Sequence, residues 1–142
     1  MLKSKLNNKL SNKHLLITGG SSGIGLAIAE SAAKQGAHIT LVARCNDKLL
    51  YAKNKISLLT INPQQKINYV SIDVCNEQSV KTKLSILLQT KSAPDIVINC
   101  AGTAKPDYFE NITLDQFEQT LKLNLFGARN IISALLPYMQ KK

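Results

Sequence analysis

Short apolar runs alternate with helix-length amphipathic segments along this chain of 142 residues. Four of the runs are typical of buried strands, at residues 14–17, 38–43, 67–72 and 95–99. Segments with apolar residues at helical spacing follow the first three runs, at residues 23–34, 46–59 and 76–91. In the first helix the spacing places Ile24, Ile28 and Ala32 on one face. This order predicts an α/β fold with a doubly wound parallel sheet.

The end of the chain carries the signals of one more helix. Thr113 is suited to cap its start, and Pro137 marks the region where we expect it to end. Binding sites in sheets of this kind lie at the carboxyl ends of the strands. We therefore expect the functional residues directly after the apolar runs.

A glycine-rich turn joins the first strand to the first helix, with the sequence Thr18-Gly19-Gly20-Ser21-Ser22-Gly23-Ile24-Gly25. Glycine permits a tight turn and a close approach of a ligand to the backbone. The unpaired N–H groups at the start of the helix favour a bound anion. The strand at 38–43 completes a β-α-β unit of about thirty residues. The pattern predicts a dinucleotide site, and a turn without a ligand is the alternative.

The residue after the second strand indicates which dinucleotide binds. Sites for NAD usually place an acidic residue here to bind the adenosine ribose, whereas this chain has Arg44. A guanidinium can bind a ribose 2′-phosphate with two hydrogen bonds, and Lys48 adds a second positive charge. The residues therefore favour NADP(H). Two side chains that only solvate a basic surface are the alternative, and the nearby acid Asp47 complicates the interpretation.

Four sequence elements in this order resemble the short-chain dehydrogenase/reductase family. They are the T-G-x-x-x-G-x-G spacing at 18–25, Asp73 after the third run, the N-C-A-G stretch at 99–102 and Asn124. The second family element usually reads N-N-A-G, so Cys100 is a departure. We expect the departure to be tolerated because Ala101 and Gly102, which allow close backbone packing, are kept.

The resemblance implies a Rossmann fold and assigns roles to individual residues. Asp73 would hold the edge of the adenine ring, the N-C-A-G stretch would pass beneath the cofactor, and Asn124 would belong to the active-site relay. The cofactor-binding residues that it implies are Gly19, Ser21, Ser22, Gly23, Ile24, Gly25, Arg44, Lys48, Asp73, Val74, Asn99, Ala101 and Gly102.

Within the family, residues 36–50 look like the members that reduce 3-ketosphinganine to sphinganine with NADPH. That similarity implies a long-chain sphingoid ketone as substrate, a location at the cytosolic face of the endoplasmic reticulum membrane, and a homo-oligomeric full-length form. The rival interpretations are another short-chain reductase that acts on a steroid or acyl substrate, and a non-catalytic NADP-binding fragment.

Catalysis in the family depends on Ser, Tyr and Lys, with the last two spaced as Tyr-x-x-x-Lys. The spacing occurs here at Tyr51 and Lys55 and again at Tyr138 and Lys142, and we interpret both as coincidences. The family sheet has the strand order 3-2-1-4-5-6-7. We therefore expect a chain truncated after the helix that follows strand 4, without catalytic Ser, Tyr and Lys, inactive by itself, and with the outer edge of strand 4 uncovered.

Composition adds limits to this interpretation. Residues 1–13 carry four lysines and no acid, which indicates a disordered basic arm before residues 14–142, the N-terminal part of an NADP-binding Rossmann domain. The net charge of +9 raises a nucleic-acid-binding module as a rival, but the lysines are dispersed without stacking aromatics. No signal peptide or membrane span is predicted, so membrane association would require sequence not present here. Scattered cysteines and His14 and His38 predict no metal site.

Overall fold

The computed structural model describes residues 9–142 and contains one parallel sheet of four strands. Its strands are β1 (His14–Thr18), β2 (His38–Ala43), β3 (Ile67–Ser71) and β4 (Ile96–Asn99), in the order β3-β2-β1-β4. Thr18 of β1 pairs with Val42 on one side and with Asn99 on the other, so these three strands end level. The doubly wound parallel sheet is confirmed, and so is the order of its first four strands.

Within the described residues, five α-helices connect and flank the strands, close to the ranges that the sequence pattern predicts. They are α1 (Gly23–Ala33), α2 (Asn46–Ser57), α3 (Glu77–Thr90), α4 (Leu114–Leu121) and α5 (Gly127–Met139). A short 3-10 helix at Phe109–Asn111 precedes α4, and a π turn at Lys122–Phe126 joins α4 to α5.

The sheet has a buried apolar layer on each face. One layer packs β1 and β2 against α1 and α2, and includes Ile17, Ile39, Leu49 and Ile56. The other packs the sheet against α3 and α5, and includes Leu16, Val42, Leu84, Ile131 and Leu135. Because both faces are covered, the central strands read as continuous apolar runs and not as an alternating pattern.

The core-facing side of α1 differs from the predicted one. Its fully buried residues are small, namely Ala29, Ala32 and Ala33, and they let the helix lie close to the sheet. Ile24 is instead 75% exposed. It lies in the first turn of the helix, at the carboxyl end of the sheet, where it has no core to cover. The prediction that Ile24 belongs to the apolar face was wrong.

The predicted last helix begins where expected but is not continuous. Thr113 caps α4 through a reciprocal pair of bonds, since its hydroxyl accepts from Gln116 N at 3.3 Å and Gln116 Oε1 accepts from Thr113 N at 3.0 Å. The π turn then interrupts the α-helical path. Helix α5 passes Pro137 and ends at Met139.

Part of the predicted basic arm packs on the domain. Residues 9–12 form turns, and Leu10 lies against the core layer of α1 and α2. The Leu10 amide donates to the Gln35 carbonyl at 3.2 Å. The packed domain therefore begins before His14, and the remainder of the predicted arm, residues 1–8, lies outside the described residues.

One edge of the domain is open in the part of the chain that the structure describes. Among residues 9–142, strand β4 pairs with β1 only, as the sequence predicts, and α4 buries none of its residues. Leu114, Phe117 and Ile132 are exposed on α4 and α5. Across residues 9–142, no helix combines the length and the apolar character needed to cross a membrane.

Candidate functional site

The glycine turn follows β1 directly and leads into α1. Gly19 has a φ of +65°, a conformation that residues with a Cβ atom rarely adopt, and a Cβ there would lie 2.7 Å from the Cys100 carbonyl oxygen. At Gly25, a Cβ would lie 2.5 Å from the Gly19 carbonyl oxygen. Both positions therefore require glycine, and the turn is held close to the backbone after β4.

The start of α1 leaves backbone donors free for a ligand. Ser22 occupies the N-cap position but makes no hydrogen bond through its side chain to the first turn. The first N–H groups of a helix have no partner within the helix, and the helix dipole adds partial positive charge there. The eleven-residue helix α1 thus presents donors beside the glycine turn, in an arrangement suited to a pyrophosphate.

A cavity of about 420 Å³ lies over this turn at the carboxyl ends of the strands. All but two of the predicted cofactor residues line it, and the two outside its lining are Asp73 and Asn99. The residues that line it are Gly19, Ser21, Ser22, Gly23, Ile24, Gly25, Arg44, Lys48, Val74, Ala101 and Gly102, together with Val42, Ala43, Cys45, Ile72, Cys100 and Leu123. The exposed Ile24 is accordingly a residue of the cavity wall.

The N-C-A-G stretch is fastened to the end of β1 by Thr18. The buried hydroxyl oxygen of Thr18 accepts hydrogen bonds from Cys100 N and Ala101 N, both at 3.1 Å. The Cys100 amide also reaches the Thr18 carbonyl at 3.2 Å. Thr18 therefore joins the two loops that form the cavity floor through both its side chain and its carbonyl group.

The two predicted cofactor residues outside the cavity lining are adjacent in sequence to residues that line it. Asp73 is exposed in the turn after β3, where its Oδ1 accepts from Cys75 N at 3.0 Å. Burial, and then the carboxylate of Asp73, raise the pKa of the Cys75 thiol. Asn99 ends β4 and is exposed. Both residues are at carboxyl ends of strands, as expected.

Asn124 lies in the π turn and lines a neighbouring cavity of about 440 Å³ with Thr103, Gln116 and Thr120. Its side chain binds the backbone of Thr103 in both directions. Oδ1 accepts from Thr103 N at 2.8 Å, and Nδ2 donates to the Thr103 carbonyl at 2.8 Å. Asn124 therefore fixes the loop that leaves the N-C-A-G stretch.

Arg44 and Lys48 give one end of the cavity over the glycine turn a positive charge. Arg44 directly follows β2, and Lys48 lies in the first turn of α2. Within residues 9–142, neither side chain forms an ion pair, and Asp47 forms none either. The two cations are thus not neutralised by the nearby acid, and their charge is available to an anionic ligand.

The two Tyr-x-x-x-Lys pairs lie away from both cavities just described. Tyr51 is 69% exposed on α2, and Lys55 pairs with Glu30 at 2.6 Å, a hydrogen bond that raises the pKa of Lys55. Lys142 pairs with Asp95 at 2.7 Å, just before β4 begins and hence at the amino end of the sheet. Neither tyrosine lines the cavity over the glycine turn.

Apart from Cys100, which belongs to the N-C-A-G stretch, the sequence interpretation missed five cavity residues: Val42, Ala43, Cys45, Ile72 and Leu123. Ile72 ends the third apolar run and Cys45 follows Arg44, so their positions at strand ends are a usable signal. Leu123 lies in the π turn, far along the sequence. No local pattern indicates that it returns to the glycine turn.

Comparisons with known proteins agree with this geometry. The model of the family described as short chain dehydrogenase matches residues 13–142. The chain is 37% identical over 135 residues to a 3-dehydrosphinganine reductase of Danio rerio. The aligned region covers 94% of this chain and 41% of the relative. The chain is also 39% identical over 134 residues to a 3-ketodihydrosphingosine reductase of Mus musculus, over 94% of this chain and 40% of the relative. The chain thus spans less than half of either relative.

Among solved structures, the L-sorbose reductase of Gluconobacter frateurii complexed with NADPH and L-sorbose matches with a TM-score of 0.84 and 32% identity. That match covers 95% of this chain and 50% of the reductase. The family match, the sheet order and the glycine turn lead to one conclusion. The chain belongs to the short-chain dehydrogenase family of NAD(P)-dependent oxidoreductases.

Proposed function

We propose that this chain forms the cofactor-binding part of an NADPH-dependent reductase that converts 3-ketosphinganine to sphinganine. Relatives named for that substrate, at 37% and 39% identity, support the choice of reaction. The observation that carries the choice of cofactor is the pair Arg44 and Lys48, which line the cavity over the glycine turn. Their charge is suited to a ribose 2′-phosphate, which NADPH has and NADH lacks.

The residues in and beside the cavity are suited to this cofactor. The backbone N–H groups at the start of α1 would hold the pyrophosphate. The turn that brings them together requires glycine at Gly19 and Gly25, where a Cβ atom would lie too close to the backbone. Arg44 and Lys48 would bind the 2′-phosphate, and Asp73 would bind the adenine edge. The stretch from Asn99 to Gly102 would pass beneath the cofactor. When bound, NADPH supplies the hydride for reduction of a ketone.

The carbonyl oxygen of a ketone needs a proton donor during reduction. We place this donor, together with the family's Ser and Lys, in the part of the relatives' length that this chain does not span. Tyr51 and Tyr138 are exposed and do not line the cavity over the glycine turn, which supports that division. Asn124 would hold a water of the proton relay while it fixes the loop at Thr103. The 142-residue chain alone is expected to bind NADP(H) without turnover.

The proposal extends to the surroundings of the enzyme. Its substrate is a long-chain sphingoid ketone, so we place the full-length protein at the cytosolic face of the endoplasmic reticulum membrane. Membrane attachment would come from segments outside this chain, and the full-length form would assemble as a homo-oligomer. A nucleic-acid partner is not part of the proposal.

Exchange of Arg44 tests the cofactor. Arg44→Asp removes the cation and places a carboxylate where a ribose hydroxyl could be bound, so NADPH affinity should fall roughly tenfold to a hundredfold and NADH affinity should not fall. Titration calorimetry with each dinucleotide measures the ratio. Lys34→Asp makes the same change of charge on an exposed residue outside the cavity and should leave the ratio unchanged. An unaltered preference in Arg44→Asp would contradict the assignment of NADPH.

Two activity assays test the reaction and the division of labour. The full-length protein should oxidise NADPH faster with 3-ketosphinganine than with a steroid ketone or a 3-oxoacyl substrate. A preference for either of the latter would replace the proposed substrate. Turnover by the purified 142-residue chain would show that one of the two tyrosines acts in catalysis after all.

A further inference from the structure

The amino end of the sheet carries a separate cavity of about 300 Å³. His14 and His38 begin β1 and β2 beside it, Lys66 directly precedes β3, and Lys91 directly follows α3. None of its lining residues belongs to the cavity over the glycine turn, which lies at the opposite end of the strands.

The positive charge in this cavity is not balanced by its acid. Asp95 is the acidic residue in the lining, and its carboxylate is already engaged by Lys142 Nζ at 2.7 Å and by the backbone N–H of His14 at 2.8 Å. The hydrogen bond from Lys142 is the main reason that the pKa of Asp95 is lowered. Across residues 9–142, neither Lys66 nor Lys91 forms an ion pair.

Lys91 occupies an unfavourable position for a cation that has no counter-ion. Its side chain is half-buried, and burial lowers its pKa, with a further contribution from repulsion by Lys53 and Lys66. Removing a charge from water is costly unless an opposite charge or hydrogen bonds compensate. An anion in the cavity would supply that compensation.

Neutral donors accompany the two lysines. Nδ1 of His38 accepts a hydrogen bond from the Lys66 backbone N–H at 3.0 Å, so in the neutral ring Nε2 carries the proton and is a donor. Asn68 and Ser92 also line the cavity and add an amide and a hydroxyl. Ammonium groups combined with neutral N–H and O–H donors form the usual environment of a phosphate group in proteins.

We propose that this cavity at the amino end of the sheet binds a phosphate group through Lys66, Lys91 and His38. The proposal is independent of the reductase function, since the two cavities share no residue. The phosphate belongs either to a small soluble molecule or to a lipid headgroup, and the chemistry at the lysines is the same in both cases. Lysines that only protect the edge strand β3 from pairing would bind no phosphate, and the experiment separates that outcome.

The two histidines of the chain both line the cavity and provide a local probe. Their C2–H proton resonances are followed by NMR while sodium phosphate replaces sodium chloride at constant ionic strength and pH. The His38 resonance, assigned with His38→Gln, should move and reach saturation. Because the probe is local, phosphate that binds near Arg44 does not affect the result.

Matched substitutions identify the residues that bind. Lys91→Gln and Lys66→Gln should each weaken the phosphate titration roughly threefold to tenfold, since each removes one charged donor. Lys34→Gln makes the same change of net charge outside the cavity and should leave the titration unchanged. The proposal is overturned if the His38 resonance does not move with phosphate. It is also overturned if Lys91→Gln and Lys66→Gln both bind phosphate as tightly as the unsubstituted chain.

Flotation with vesicles distinguishes the two sources of the phosphate. Phosphatidylcholine vesicles are compared with vesicles that also contain phosphatidic acid. Saturation of His38 by phosphate together with Lys91-dependent flotation on phosphatidic acid supports a lipid headgroup. Saturation of His38 without Lys91-dependent flotation supports a soluble phosphate compound. If free phosphate leaves His38 unmoved, flotation does not rescue the proposal.

Discussion

The hydroxyl of Thr18 allows a sharp test of how the two loops of the cofactor cavity are held together. Thr18 is only 1% exposed, and its Oγ1 accepts from Cys100 N and Ala101 N at 3.1 Å each. Thr18→Val keeps the shape of the side chain and removes the acceptor. The Cys100 amide retains the Thr18 carbonyl at 3.2 Å, so the Ala101 amide is the donor that loses its partner.

The expected cost follows from this single lost partner. A donor left without a partner in a buried site costs about 1–3 kcal/mol. Because Ala101 is only half-buried, we expect Thr18→Val to lower the free energy of unfolding by about 1 kcal/mol, at the low end of that range. For a domain of this size the melting temperature should fall by about 2–4 °C. Urea unfolding followed by circular dichroism measures the change, which should shift the midpoint without altering the slope.

Thr18→Ser is the matched control, because it keeps the acceptor and loses one methyl group at a cost of about 1 kcal/mol. Hydrogen exchange separates the two effects. The Ala101 amide should exchange faster in Thr18→Val and should stay protected in Thr18→Ser. If Thr18→Val keeps both the midpoint and the protection of Ala101, the hydroxyl does not hold the loops together and the reasoning fails.

Three further predictions concern the turn, the pH dependence and the relay position. Gly19→Ala should unfold at a lower temperature and bind NADPH more weakly, because its Cβ would lie 2.7 Å from the Cys100 carbonyl oxygen. In the unfolding measurement, Gly23→Ala is the control for backbone strain, since its Cβ would meet no atom of the described residues within 4 Å but Gly23 shares the positive φ. Burial holds the pKa of His14 below its usual 6.5, so the unfolded chain binds more protons in the window below about 6.5 and stability should fall there as the pH falls. Urea midpoints measured as a function of pH should fall in this window, and those of His14→Gln should not. The same dependence on pH in both proteins would exclude His14 as the cause. The lowered pKa values of Asp95 and Glu77 affect stability in a more acidic window. Asn124→Ala should speed the hydrogen exchange of the Thr103 amide, which loses its acceptor at 2.8 Å, and an unchanged rate would show that the loop holds itself.

Much of the candidate site could be predicted because its signals are local. Gly19 is required by a positive φ and a close backbone approach, and both are properties of a strand that turns directly into a helix. Arg44 lines the cavity because it directly follows β2, and parallel strands end at the same edge of the sheet. The N-C-A-G stretch meets the turn for the same reason, since Thr18 and Asn99 are paired in register.

The failures occurred where distant segments decide the outcome. Ile24 fits a helical apolar spacing, but only the packed structure shows that the first turn of α1 extends past the core. Leu123 lies in the π turn and lines the cavity over the glycine turn. The local periodicity of the sequence did not predict this position. The predicted basic arm included residues 9–13 because they are lysine-containing and polar, although Leu10 packs against the core.

The sequence alone determined the class of fold and the family, and it predicted the chemistry of the turn, because strand, turn and helix signals are short-range properties of the backbone and its neighbours. Only the tertiary structure decided that Thr18 joins the two loops, that Asn124 fixes Thr103, and that Lys66 and Lys91 share a cavity at the amino end of the sheet. These relations join residues far apart in the chain. They exist only once the parallel strands are in register, because that register sets which ends and which side chains meet.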